Sequence, residues 1–106
     1  MSKKVLIIST SLRQRSNSDA LAETFAVGAR EAGHQVEKIS LTGRNIGFCQ
    51  GCLACLKTGR CVLKDDAPAI TEKIHDADVL VFATPIYYYE MSGQMKTMLD
   101  RANSLY

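Results

Sequence analysis

Several things that would make this chain easy to classify are missing from it. No apolar run approaches the length of a membrane span, and the short one behind the N-terminal lysines has the make-up of a strand, so neither a signal peptide nor a transmembrane helix is expected. Neither sign of charge dominates. A net charge of +2 argues against nucleic acid or an anionic membrane as the main partner. No G-x-G-x-x-G follows the first apolar run, which argues against a dinucleotide bound in the Rossmann manner. No G-x-x-x-x-G-K followed by Ser or Thr is present, which argues against a nucleoside triphosphatase. The loop after the first strand holds no cysteine, so a phosphatase with a thiolate nucleophile is not expected. There is also no repeat, low-complexity tract or interdomain linker. With 106 residues and a 46% hydrophobic content, one domain over 1–106 with one modest core is expected. The absence of a leader or span makes the expected setting cytoplasmic. There thiols stay reduced, so the four cysteines read as ligands, reactive groups or passive thiols before disulfides.

What is present is concentrated in residues 5–18, VLIISTSLRQRSNS. The apolar, β-branched opening suits a strand buried on both faces of a parallel sheet. It then changes abruptly to donors. Ser9, Thr10, Ser11, Ser16 and Ser18 offer hydroxyls, Asn17 an amide, and Arg13 and Arg15 fixed charges that match phosphate oxygens as a fork. A helix over 19–32 follows, and helix N-termini attract anions. The competing reading is a polar loop with a Ser cap and solvated arginines. Because hydroxyls and arginines stand where glycines would, a terminal phosphate monoester suits the loop better than a bridging pyrophosphate.

The remaining pattern is regular apart from one stretch. Leu21, Ala22, Phe25, Ala26, Ala29 and Ala32 share a broad helix face, and Gly33 suits the left-handed residue beyond its end. Residues 35–41 read as an edge strand, mixing Val36, Ile39 and Leu41 with Glu37 and Lys38. Residues 43–64 lack periodicity and contain all four cysteines; a loop that long in a small domain is usually functional or disordered. Asp65 or Asp66 caps a second helix with Ala67, Ile70, Ile74 and Ala77 inward and Pro68 in its first turn. Val79–Ala83 reads as a third buried strand, 86–93 as an aromatic loop, and 94–104 as a third helix with Met95, Met98, Leu99 and Ala102 inward. His34 and His75 lie near helix ends, which explains them better than catalysis does. The order β-α-β-α-β-α predicts an α/β fold with a parallel sheet and right-handed crossovers. Three strands are few for such a sheet. A doubly wound fold would need about 60 more residues at about 30 per unit, so an incomplete C-terminus, a truncated product or half of a strand-sharing assembly is expected.

In open parallel sheets ligands bind beyond the C-terminal strand ends, where strand order reverses. The loops after strands one and three both belong there. The second carries three consecutive tyrosines behind a proline, Thr84-Pro85-Ile86-Tyr87-Tyr88-Tyr89. Beside a phosphate site these suit a flat aromatic ligand; a packed aromatic turn or an oligomer contact is the plainer alternative.

Together, ISTSLRQRSNS after strand one and TPIYYYEMSGQMKTMLDR after strand three resemble the NAD(P)H-dependent FMN reductase family of flavodoxin-like proteins, over essentially the whole chain. The resemblance implies a flavodoxin-like doubly wound parallel sheet, of which this chain would supply the N-terminal three β-α units. It implies FMN, with the phosphate at Ser11, Arg13, Ser16, Asn17 and Ser18 and the isoalloxazine edge against Pro85, Ile86, Tyr87 and Tyr88. It implies NAD(P)H as co-substrate, a small-molecule electron acceptor such as a flavin or quinone, and a homo-oligomer. The family's third ring-contacting loop follows a fourth strand, beyond the end of this chain.

Cys49, Cys52, Cys55 and Cys61 are spaced C-x2-C-x2-C-x5-C. Short spacings let one loop wrap several thiolates around a metal centre, with Gly47, Gly51 and Gly59 supplying backbone freedom. The spacing is similar to the compact motif of the iron–sulfur flavoproteins, which implies a 4Fe–4S cluster. Zinc, passive thiols and oxidative subunit linkage stay open beside it. Two functions are therefore expected first, an FMN-dependent oxidoreductase or an electron carrier of the flavodoxin or iron–sulfur flavoprotein kind, with a non-catalytic α/β fragment that only oligomerises as the third reading. Neither of the first two requires a protein acid, base or nucleophile, since the flavin supplies the redox chemistry.

Overall fold

The structure is a computed structural model that describes residues 2–10 and 16–105. Its elements in chain order are β1 (Lys4–Ser9), α1 (Asn17–Glu31), β2 (Gln35–Ser40), a single turn α2 (Cys55–Thr58), α3 (Ala67–Asp76), β3 (Val79–Ala83), the short strands β4 (Ile86–Tyr87) and β5 (Glu90–Met91), α4 (Gly93–Arg101) and a closing 3-10 turn (Ala102–Leu105). β1 pairs in parallel with β2 on one side and β3 on the other, giving the order β2-β1-β3. This is the opening of the 2-1-3-4-5 order of doubly wound, flavodoxin-like sheets. It places a switch point between β1 and β3, because the chain leaves β1 in one direction and returns on the other side.

The central strand carries the core. Leu6, Ile7 and Ile8 are almost wholly buried, as a strand covered on both faces requires. Val5 and Ile7 meet Ala22 and Ala26 of α1, and small residues there let the helix approach the sheet closely. Leu6 and Ile8 face the opposite layer, where Ile70 of α3 and Met95 and Met98 of α4 pack with Ile39. The alternation extends to the charges. Lys38 turns to the α1 side and reaches Asp19 and Glu23, while Glu37 turns to the other face and meets Lys73 of α3.

The helices form where their patterns place them. Ser16 caps α1 by accepting from the Asp19 amide, and Gly33, at φ 92°, ends it as expected. Ala67 and Ile70 are buried in α3, with Ile74 and Ala77 packed against the same core. Four expectations need correction. Leu21 and Phe25 stay exposed on α1, so its buried face is the narrower one of Ala22 and Ala26. β3 is an edge strand rather than a buried one: among the described residues nothing pairs with its outer side, and Val79, Leu80 and Phe82 remain about 40% exposed. Residues 86–93 are not an irregular loop but contain a hairpin, Ile86 opposite Met91 and Tyr87 opposite Glu90. The third helix tightens to 3-10 geometry at Ala102 instead of running on to 104.

Candidate functional site at the C-terminal rim of the sheet

β1 and β3 are neighbours, so the chain segments leaving their C-terminal ends start side by side. The Thr10 amide extends the pairing by one step, donating to the Ala83 carbonyl at 3.0 Å. A buried hydroxyl network then ties the two segments together. Thr10 Oγ1 and Ser92 Oγ lie 2.9 Å apart, and the Ser92 amide donates to Thr84 Oγ1 at 3.0 Å. Ser92 Oγ also accepts from the Met95 amide and so caps α4. One fully buried serine thus fixes the end of β1, the end of β3 and the start of α4.

Of the residues expected at a phosphate, Ser16, Asn17 and Ser18 are described. Ser16, Asn17 and Ser18 form the N-terminus of α1, whose first-turn amides have no partner within the helix. Ser16 is buried and its oxygen serves the cap, with Ser18 Oγ 3.5 Å away. Ser11, Arg13 and Arg15 lie outside the described residues. The ring half is an exposed hairpin. Pro85 is half-buried, Ile86 and Tyr87 face outward, and Tyr88 and Tyr89 are over 90% exposed. The two tyrosines form a two-residue turn with φ of 49° and 64°, the left-handed geometry that hairpin turns normally fill with Asn and Gly. Their rings meet edge to face at a centroid distance of 5.6 Å. Two solvent-facing aromatics in a backbone conformation that favours glycine are a local departure from packing and turn rules, the kind that clusters at ligand sites. The residues expected at the ring edge and the described part of the segment expected at the phosphate therefore lie on chain segments that leave adjacent strands.

The cysteines form a second place of interest. Cys49, Cys52, Cys55 and Cys61 are all free thiols and line one small hollow together with Arg101, Asn103 and Ser104. Gly59 ends α2 at φ 75°, turning the chain toward Cys61. As they stand, no three Cys, His, Asp or Glu side chains among the described residues form a group able to hold a metal ion. Thiolates are the ligand type that an iron–sulfur or zinc centre takes, but as they stand these four do not converge on one point.

Arg101 was not anticipated, nor was Ser92. Arg101 is the largest fully buried side chain among the described residues. It grips Asp65 in a bidentate fork, Nη1–Oδ2 2.6 Å and Nη2–Oδ1 2.9 Å, and also donates to the Gly47 carbonyl and to Cys61 Sγ at 3.4 Å. Its Nε–H is buried without an acceptor. Asp65 in turn accepts from the Gly47 and Ala67 amides, so it anchors the cysteine loop as well as starting α3. Asp66, in the cap position, uses its carboxylate on the Asn45 amide instead. The Arg101 guanidinium lowers the Asp65 carboxyl from 3.8 to about 2, against the opposing effect of burial and with help from the two amides. Asp65 in its turn raises Arg101. The signal for Arg101 was present in the sequence: it stands three residues beyond Met98 on the apolar stripe of α4, a position where a charge implies a buried partner. His34 Nδ1 accepts from the Lys3 amide and ties the start of β1.

A doubly wound sheet with a switch-point rim of hydroxyls and aromatics defines a flavodoxin-like α/β protein. Residues 3–105 match the family model of NADPH-dependent FMN reductases, and the chain belongs to that family. An iron–sulfur flavoprotein of Archaeoglobus fulgidus is 39% identical over 99 residues, 93% of this chain and 48% of that protein. An iron–sulfur flavoprotein of Methanocaldococcus jannaschii is 33% identical over 102 residues, 96% of this chain and 53% of that one. Among solved structures, an NAD(P)H:quinone oxidoreductase from Methanothermobacter marburgensis superposes with a TM-score of 0.80 at 26% identity, covering 96% of this chain and 54% of the other. The chain spans about half the length of the relatives it matches. No helix among the described residues is long and apolar enough to cross a membrane.

Proposed function

We propose that the chain is the FMN-binding part of an NAD(P)H-dependent oxidoreductase that reduces a small acceptor such as a flavin or quinone. The observation that carries this is the rim itself: a capped helix start after β1 and an exposed tyrosine hairpin after β3, joined through Thr10, Ser92 and Thr84. Ser11, Arg13, Ser16, Asn17 and Ser18 would hold the phosphate. Pro85, Ile86, Tyr87 and Tyr88 would lie against the isoalloxazine edge. Bound FMN supplies hydride acceptance and onward electron transfer. The protein's own part is to bind, to orient the ring and to cover one edge of it from water. A small acceptor at a protein site without a membrane span fits this reading, as does assembly into a homo-oligomer.

The test compares FMN with riboflavin by fluorescence titration of the 106-residue chain, then of Arg13→Met. FMN should bind more tightly than riboflavin, and the substitution should erase most of that margin, about 10- to 100-fold for a charged hydrogen bond to phosphate. No binding of either flavin, or equal binding of both by the unaltered chain, would reject the proposal.

A second reading is favoured by the cysteine spacing. Here the four thiols would hold a 4Fe–4S centre, and the protein exchanges single electrons with partners. Two relatives with over nine-tenths of this chain aligned are named iron–sulfur flavoproteins, which supports it. Anaerobic purification followed by iron and sulfide analysis separates the readings, together with the rate of NAD(P)H oxidation.

A further inference from the structure

We infer that Lys38 sets the preference of the rim for a phosphorylated flavin over an unphosphorylated one, as a positioning residue that acts through Asp19 and Glu23 at the head of α1. The inference rests on the flavin site proposed above, with its phosphate at the start of that helix. The first two turns of α1 carry both carboxylates. Asp19 suits a helix N-terminus electrostatically, but its charge also repels any other anion seated there. The neighbouring strand answers that conflict. Lys38 stands on β2 opposite Ile7 of the central strand. Its Nζ donates to Asp19 Oδ1 at 2.6 Å and to Glu23 Oε1 at 2.7 Å.

Three features tie this cluster to the helix start. The Asp19 amide donates to Ser16 Oγ, so the residue Lys38 holds by its carboxylate is the one that completes the cap. The Lys38 side chain is 20% exposed, which leaves its ammonium less screened than a surface lysine. Burial pushes that ammonium down, yet the bonds to Asp19 and Glu23 outweigh it and leave Lys38 above the ordinary lysine value. Lys38 therefore stays charged at neutral pH. The pleat decides which charge arrives here: Glu37, one residue earlier, turns to the other face and meets Lys73. Without Lys38, both carboxylates would stand unopposed at the helix start. Riboflavin carries no phosphate, so its binding is indifferent to this balance, whereas that of FMN is not.

The experiment titrates FMN and riboflavin by fluorescence against the full 106-residue chain, against Lys38→Met, and against Lys38→Met carrying Asp19→Asn and Glu23→Gln as well. Lys38→Met should narrow the margin of FMN over riboflavin by about 3- to 10-fold, the effect of unmasking partly exposed charges, with riboflavin binding unchanged. Neutralising the two carboxylates in the same chain should restore the margin, and the loss should shrink at high ionic strength. A margin that Lys38→Met leaves unchanged overturns the inference. So does a narrowed margin that the added Asn and Gln do not recover, the mark of a merely structural role. Equal binding of both flavins by the unaltered chain overturns the flavin site itself, and the inference with it, before any variant is made. Should Lys38→Met not fold, Asp19→Asn with Glu23→Gln in a chain that keeps Lys38 decides. There the margin should widen, and an unchanged or narrower one would overturn the inference.

Discussion

Replacing Asp65 by Asn removes one charge from the most buried ion pair among the described residues without changing its shape. The pair joins the last turn of α4 to the start of α3, with the Asp65 side chain 10% and the Arg101 side chain 1% exposed. At neutral pH the substitution leaves the guanidinium with an uncharged amide, the Gly47 carbonyl and the Cys61 sulfur, and no opposite charge among its described partners. Breaking a buried pair from one side costs about 3 kcal/mol or more. The pH dependence is more diagnostic. Asp65 has a folded pKa of about 2 against an ordinary 3.8. Because the folded value is the lower one, the carboxylate's contribution is complete above the unfolded pKa and is lost as pH falls through the folded one. At about 1.4 kcal/mol per pH unit, its share is roughly 2 kcal/mol, surrendered between about pH 4 and pH 2. Urea unfolding of both proteins at stepped pH isolates this share, since all other carboxylates titrate in both. The wild-type advantage should be largest above about pH 5 and shrink by roughly 2 kcal/mol toward pH 2. A gap that stays constant across that range would refute the ion-pair argument.

Other expectations follow from single contacts. Ser92→Ala removes the cap of α4 and leaves Thr10 without its buried partner, so unfolding free energy should fall by about 1–3 kcal/mol in urea titration, with the β1–β3 rim the first part to lose amide protection. Tyr89→Gly relieves a left-handed residue in the hairpin turn and should raise stability by about 1 kcal/mol, read as a higher urea midpoint. Tyr87→Ala should leave stability nearly unchanged, because the ring is half exposed, yet weaken FMN and riboflavin alike, in contrast to the phosphate-side substitution. Lys38→Met loses two partly exposed ion pairs to α1 and should cost no more than about 1 kcal/mol, less in high salt.

Much of the fold was legible because it is written in periodic apolar residues. The uninterrupted Val5–Ile8 run could only be a central strand, and Ala67, Ile70, Ile74 and Ala77 could share only a helix face. The edge character of β2 was legible from its charges, Glu37 and Lys38, which do turn out to opposite faces. β3 misled for the converse reason. VLVFA carries no polar residue to mark an edge, and burial of such a run depends on neighbours the local sequence does not contain. The hairpin was hidden because its turn is Tyr88–Tyr89 rather than Asn-Gly, so turn chemistry pointed away from it.

The candidate site divides the same way. The rim location followed from topology alone, since β1 and β3 flank the switch point in any sheet ordered 2-1-3. The residues that hold the rim together did not follow. Ser92 acts through a hydroxyl contact 82 positions from its partner Thr10, and no local pattern announces such a pairing. Arg101 and Asp65 were visible as residues, but their joint control of the cysteine loop depends on where residues 43–64 fold back. The four cysteines line one hollow, but among the described residues they form no group able to hold a metal ion as they stand, so their spacing alone did not place a centre.

The central claim is that two neighbouring segments at one rim take the two ends of a single flavin nucleotide. Amide chemical-shift mapping of the 15N-labelled chain during FMN titration tests it most directly. The account predicts saturable shifts at Ser16–Ser18 and at Ile86–Tyr88 together, with riboflavin reproducing only the second group. Shifts confined to the outer face near Phe25 and Val79, or to one segment without the other when FMN is used, would contradict it.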